Sequence, residues 1–425
     1  MKSGRSDVKL GILVGGGPAP GINGVIGSAT MTANSRGIEV VGILDGFKWL
    51  SQGDTSHTVS LATNDVLRSR FLGGSILNTS RENPTKSDEK MRNVVAALEK
   101  LGITHLVTIG GDDTAFSASM TYKVAEGKIK VAHVPKTIDN DLPLPGNMPT
   151  FGFQTAMHYG ARLTANLLED ARTTHRWYIL VAMGRTAGHL ALGMGMGGGA
   201  PLTIIPEEFG MSKITMALIC DIIEGAIIKN RAVGRDYGVA VIAEGVGDLV
   251  KDELKDNPCV IVEYDEHGHF RMGEVPLGLI LKRAINERMK KQGKKAQFVD
   301  VTIGYELRCA DPVPVDVNYV QQLGCGAVMY LLDSEERGGR DAGVLISVQS
   351  GKIVPIPFSE ILDPVTGKTA VRRVDINSDL YRAARTLMTR LEKSDFEDQK
   401  MLALLSDAAG ISTAEFSKRF KHLGS

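Results

Sequence analysis

Pro135-Lys136-Thr137-Ile138-Asp139-Asn140-Asp141 follows a short, mostly apolar run at 131–134 that reads as a strand. It gathers two carboxylates, an amide, a hydroxyl and a lysine into a turn at the strand's C-terminal end, the place where open α/β sheets bind ligands. Gly110-Gly111-Asp112-Asp113-Thr114 follows a second apolar run at 106–109 and opens a helical pattern. Glycines admit phosphate close to the backbone, a helix N-terminus favours anions, and a carboxylate at that point can hold Mg²⁺. The two loops together imply phosphoryl transfer to a hydroxyl.

Working outward, residues 9–14 read as a buried strand running into Gly15-Gly16-Gly17-Pro18-Ala19-Pro20-Gly21 and a helix over about 22–35. This glycine loop has neither the Gly-Lys-Ser/Thr ending of a P-loop nor G-x-G-x-x-G spacing, so the two commonest nucleotide motifs are disfavoured. Taken alone it is no more than a tight turn. Residues 39–44 give another strand, and Ser87 can cap a helix whose Met91, Val94, Val95 and Leu98 recur at helical spacing before Gly102. Strands alternating with helices imply a parallel sheet covered on both faces. Between them Asn78-Thr79-Ser80-Arg81 offers an arginine that could clamp phosphate, although a solvated surface arginine is the plainer reading.

Prolines at 143, 145 and 149 and Gly146 suggest a rigid connector and the first domain boundary. The α/β rhythm then resumes. Strands are expected at 177–182, 202–205, 237–243 and 298–303, and helices at 212–229 and 277–291. The strand ends carry Met183-Gly184-Arg185, Glu244-Gly245 and Gly304-Tyr305-Glu306-Leu307-Arg308. Each has a structural alternative, a salt bridge between Arg185 and Glu244 or a core tyrosine at 305, and their convergence is what favours a site. Residues 344–348 and 352–356 around Ser350-Gly351 read as a hairpin, and 380–391 and 399–408 as amphipathic helices.

Composition limits the classes available. A chain of 425 residues with 43% hydrophobic and 23% charged residues suits a two-domain enzyme. Lys plus Arg balances Asp plus Glu at 49 each, so no net field draws nucleic acid or an anionic membrane. Cys220, Cys259, Cys309 and Cys325 lack zinc spacing and fit free thiols in a cytoplasmic protein. His175, His189 and the His267/His269 pair have no metal-site spacing either. No apolar run is long enough to span a bilayer.

Gly-Gly-Asp, Thr-Ile-Asp-Asn-Asp, Met-Gly-Arg, the Glu244-Gly245 strand end and Gly-Tyr-x-x-Arg, in this order over roughly residues 8–330, resemble the phosphofructokinase family. The resemblance implies an α/β protein of two Rossmann-like three-layer domains, with parallel-rich sheets facing across a cleft. The donor domain would be 1–150, completed by part of 305–375, and the sugar-phosphate domain 151–304. Residues 376–425 would form a helical cover or subunit contact, and the assembly would be a homodimer or homotetramer. Asp113 and Lys136 both stand where ATP-using members have glycine, which points to pyrophosphate as donor and fructose 6-phosphate as acceptor.

The resemblance also assigns roles. Asp139 would be the general base, and Lys136, Asp113 and Arg185 would act beside it. Asp112 would hold Mg²⁺. Gly17, Arg81, Asp113, Lys136 and Thr137 would surround the donor. Thr137, Ile138, Asp139, Met183, Gly184, Arg185 and Glu244 would hold the sugar, Tyr305, Glu306, Leu307 and Arg308 its 6-phosphate, and Arg176 would reach a neighbouring subunit's site. Two departures stand out. Val299-Asp300 replaces an arginine that bacterial ATP-using members donate between subunits, with Lys294 and Lys295 nearby, and Gly27 and Met31 replace their effector arginines. The rivals are an NAD or lipid kinase, a non-catalytic regulatory subunit, an ATP-dependent phosphofructokinase, and the same chemistry on sedoheptulose 7-phosphate. The first lacks the later motifs, and the second should have lost Asp112 or Asp139.

Overall fold

The computed structural model describes residues 7–260, 275–293, 297–333, 343–361 and 371–424. His267, His269, Lys294 and Lys295 lie outside the described residues. The chain divides into two compact units, Met1–Ala156 with Tyr305–Arg372, and Met157–Gly304 with Arg373–Ser425. The proline-rich stretch 143–149 lies inside the first unit.

In chain order the strands are β1 (Lys9–Val14), β2 (Glu39–Ile43), β3 (Thr58–Ser60), β4 (His105–Gly110), β5 (Lys130–Thr137), β6 (Phe151–Gly152), β7 (Trp177–Ala182), β8 (Leu202–Ile204), β9 (Gly238–Ala243), β10 (Phe298–Ile303), β11 (Gly343–Gln349) and β12 (Lys352–Pro357). The first unit's sheet runs β12-β11-β5-β4-β1-β2-β3, with β6 paired to β5. Its central strands are parallel, while β3 and β12 close the two edges antiparallel. The edge hairpin turns on Ser350 and Gly351, both at positive φ, as a two-residue turn matched to strand twist requires.

Both faces of this sheet are covered, and the strand period of two decides which side chain goes where. Leu10, Ile12, Val14, Val107, Ile109, Ala132 and Val134 join one core with Ile22, Val25 and Ile26 of helix Ile22–Asn34 and Val320 and Leu323 of helix Pro314–Asp333. Leu13, Leu106 and Val131 join the opposite core with Val94 and Leu98 of helix Asp88–Lys100. Ser87 caps that helix by accepting from the Glu89 and Lys90 N–H groups. Full burial of each Leu, Ile or Val among them is worth about 1.5–3 kcal/mol. Going outward from β1, the chain places β2 on one side and β4 on the other, so the ends of β1 and β4 form a topological switch point.

The second unit carries an all-parallel sheet ordered β10-β7-β9-β8. Its C-terminal segment packs on the same unit. Leu391, Leu402, Leu405, Phe416 and Phe420 share a core with Ile228 of helix Met216–Ala232. Arg390 forms a nearly buried two-pronged pair with Glu208 at 2.6 and 2.9 Å. Among the described residues no helix is long and apolar enough to cross a membrane.

Several elements differ from the sequence reading. β5 continues through Pro135, Lys136 and Thr137 instead of stopping at 134, because β6 pairs beside Lys136 and Thr137 and Pro135 needs no partner for an absent N–H. The helix expected from 212 begins at Met216, where Thr215 accepts the Leu218 N–H. The helix expected over 380–391 ends at Leu387, because Arg390 is drawn into the Glu208 pair and its carbonyl accepts from Lys229.

Candidate active site

In the first unit the loops after β1, β4 and β5 meet. The Gly15 N–H donates to the Ile109 carbonyl at 2.8 Å, tying the β1 loop to β4. The Gly16 N–H donates to Ser80 O, and Thr79 Oγ1 donates to Gly16 O at 2.5 Å. These bonds place the segment bearing Arg81, itself exposed, against the glycine loop. Thr114 explains two of the glycines. A Cβ at Gly15 would lie 2.5 Å from Thr114 Oγ1, and one at Gly110 would lie 2.3 Å from Thr114 Cβ, so neither loop tolerates a side chain there.

Lys136 is nearly buried, and its ammonium donates to the Gly17 carbonyl. Its Nζ also lies 3.5 Å from the point where a Cβ at Gly16 would stand. A lysine amine thus sits inside the glycine loop. Asp112 and Asp113 occupy the first turn of helix Asp112–Val124. Two carboxylates at a helix N-terminus oppose phosphate unless cations accompany them. Among the described residues no three His, Cys, Asp or Glu side chains gather as a metal cage. The Asp112 and Asp113 carboxylates at the helix start are donors of the kind that suits Mg²⁺, which keeps several waters and is held by one or two carboxylates plus substrate phosphates.

Arg308 belongs to the same unit. Its Nη1 lies 3.8 Å from where a Cβ at Gly17 would stand, and its guanidinium sits 4.8 Å over the Tyr305 ring. Leu307 anchors this turn in the core, while Tyr305 is 65% exposed and Glu306 is exposed too. The tyrosine is therefore not the core residue that was one sequence alternative.

Asp139 is 7% exposed, in a turn fixed at several points. Its N–H donates to Thr137 Oγ1 at 3.0 Å, and Thr150 Oγ1 donates to Thr137 O at 2.8 Å. Neighbouring Ile138 is buried. Asn140 has φ 58°, uncommon for a residue with a side chain, and its Oδ1 accepts the Thr150 N–H at 3.1 Å.

Below the loops lies His133, fully buried. The Gly110 carbonyl can only accept, so His133 Nε2 carries the proton at 3.1 Å and Nδ1 accepts from Thr108 Oγ1 at 2.9 Å. Burial pushes its pKa down to about 3, with the Lys136 charge adding to the fall and the Gly110 bond opposing it. The folded state holds the ring neutral, whereas the unfolded chain protonates it below about 6.5. This contribution to stability is complete above about pH 6.5 and is lost as pH falls toward 3. Unfolding free energy should therefore drop by up to about 1.4 kcal/mol per pH unit below 6.5 from this group. Urea titrations at about pH 7.5 and 5.5 test it, since His133→Gln should flatten the difference. An unchanged slope would remove His133 from the acid response.

In the second unit Met183, Gly184 and Arg185 follow β7, and Glu244 follows β9. Glu244 Oε2 accepts the N–H groups of Gly184 and Arg185, both at 3.2 Å. Arg185 is exposed and has φ 50°, a left-handed backbone state uncommon for a residue with a side chain. Gly304, after β10, packs on Met183, where a Cβ would clash at 2.6 Å. Arg176 stands apart from these residues. It precedes β7, so roughly 20 Å of extended strand separates it from Met183, and its Nε lies 3.8 Å from Asp170 Oδ2.

The phosphofructokinase family model matches residues 9–331. The chain is 54% identical over 417 residues to the pyrophosphate-fructose 6-phosphate 1-phosphotransferase of Thermotoga maritima, covering 97% of this chain and 98% of that protein. It is 48% identical over 422 residues to the enzyme of that name from Naegleria fowleri, covering 97% and 95%. A pyrophosphate-dependent phosphofructokinase structure from Marinobacter aquaeolei shares the fold, with a TM-score of 0.66 at 18% identity over 95% of this chain and 92% of that one. The two glycine loops, the Thr137–Asp141 turn and these full-length likenesses agree, and the chain belongs to the phosphofructokinase family.

Proposed function

We propose that the chain transfers the terminal phosphoryl group of pyrophosphate to the 1-hydroxyl of fructose 6-phosphate, giving fructose 1,6-bisphosphate and phosphate. The observation carrying the choice of donor is Lys136, nearly buried with its ammonium on the Gly17 carbonyl. A fixed cation there would meet charge developing on a departing phosphate, while Asp113 would repel the α-phosphate of a nucleotide.

Asp139 accepts the proton of the 1-hydroxyl as that oxygen attacks the terminal phosphorus in line. The bond to the bridging oxygen breaks, and phosphate departs beside Lys136 and Thr137. Gly17 and Arg81 would line the donor, and Met183, Gly184, Arg185 and Glu244 would hold the sugar. Asp112 would hold Mg²⁺, whose chemistry is to neutralise the phosphate oxygens. Donor and product are both simple phosphates, so the reaction should run in either direction. The reading includes a cytoplasmic homodimer or homotetramer, since Arg176, remote from its own Met183, suits service to a partner's site.

Purified protein with Mg²⁺, fructose 6-phosphate and either pyrophosphate or ATP tests this reading. Product is expected with pyrophosphate alone, and turnover with ATP alone would overturn it. In the same assay Arg308→Ala should raise the KM for fructose 6-phosphate by about 10- to 10²-fold, the worth of a charge-assisted phosphate contact. A rise confined to pyrophosphate would instead assign Arg308 to the glycine loop it lies beside.

A further inference from the structure

The turn bearing Asp139 is gripped by a residue beyond the stretch that matches the family. Arg372 lies after residue 331, where that match ends. Its main-chain N–H donates to the Asp141 carbonyl at 2.6 Å. Its Nε donates to the Asn140 carbonyl at 3.0 Å and its Nη1 to the Met148 carbonyl at 2.7 Å, while Nη2 donates to Asn140 Oδ1. One planar guanidinium thus spans both limbs of the loop, and only a fork of fixed N–H directions can do so. The clamp acts where the backbone most needs it, at Asn140 with φ 58°. Asn140 Oδ1 also accepts the Thr150 N–H, and Thr150 Oγ1 holds the Thr137 carbonyl, so the contact reaches both sides of Asp139.

We propose that Arg372 is the positioning residue for the catalytic base, fixing the Ile138–Asp141 turn so that Asp139 meets the acceptor hydroxyl. This rests on the reading of Asp139 given above. The Arg372 guanidinium donates to groups of the loop itself, on Asn140 and Met148. It would act on kcat and leave the affinity for both substrates nearly unchanged, and a base displaced by about 1 Å can cost on the order of 10²-fold.

The experiment compares wild type, Arg372→Ala, Arg372→Lys and, as a neighbouring control, the exposed Arg373→Ala. Steady-state kinetics are run in both substrates with and without low, non-denaturing guanidinium chloride, and amide hydrogen exchange is followed over residues 138–150. The expected result is a kcat reduced about 10²-fold in both Arg372 variants, with KM within a few-fold of wild type. Guanidinium should partly restore kcat in Arg372→Ala but not in Arg373→Ala, and the Asp139 and Thr150 amides should exchange faster. Arg372→Lys keeps the charge and the aliphatic stem, so it covers the case in which the alanine variant fails to fold. Unchanged kcat, or a loss that guanidinium leaves untouched while the 138–150 amides stay protected, would overturn the proposal. Wild-type protein inert toward pyrophosphate and fructose 6-phosphate would sink the functional reading instead, and the exchange data would still decide whether the clamp exists.

Discussion

Asp139→Asn should lower kcat by about 10²–10⁴-fold, the usual worth of a positioned general base. Affinity for both substrates should barely move. Asparagine matches aspartate in shape, and the Thr137, Thr150 and Asn140 contacts that hold the turn do not use the 139 carboxylate. What disappears is the acceptor for the hydroxyl proton. Single-turnover rates separate chemistry from product release, and an undiminished chemical step would remove Asp139 from the mechanism.

The second large effect concerns donor choice. Lys136→Gly should cripple pyrophosphate use, because it deletes a nearly buried cation from the donor loop, where such groups are worth several kcal/mol. Asp113→Gly removes an exposed carboxylate from the helix start but leaves Lys136 on the Gly17 carbonyl, so by itself it should admit ATP poorly. On the proposed reading both residues bear on one donor site, so the double variant should gain ATP activity beyond the sum of the singles. The check is kcat/KM for both donors in all four proteins. A double variant still specific for pyrophosphate would place donor selection elsewhere.

Both effects centre on residues that could be read from the sequence, and the reason is geometric. Parallel strands buried on both faces must be apolar runs, so polar groups at their ends stand out, and β7 falls at the expected residues. The helix expected over 277–291 does so as well. The β11–β12 hairpin was legible because Ser350-Gly351 fits a turn that needs positive φ twice. Arg372 was not legible. Val371-Arg372-Arg373 has no periodicity, and its partner Asn140 is 232 residues away. His133 was hidden for a related reason, since a neutral histidine between Thr108 and Gly110 leaves only an odd polar letter inside a strand. Long-range hydrogen bonds decide such roles, and no local pattern encodes them.

The split course of the chain through its two units governs the order in which the protein can be completed during synthesis. β5 is laid down before residue 140, yet its neighbour β11 leaves the ribosome only after the whole of 157–304 has been made. Throughout that interval the nascent chain presents β5 as an open, apolar sheet edge, the kind of edge that recruits stray strands. The second unit in turn waits for 373–424 to cover Ile228. Neither half can finish folding from one uninterrupted stretch, so a chain cut short anywhere before β11 is expected to aggregate and not to persist as a stable fragment.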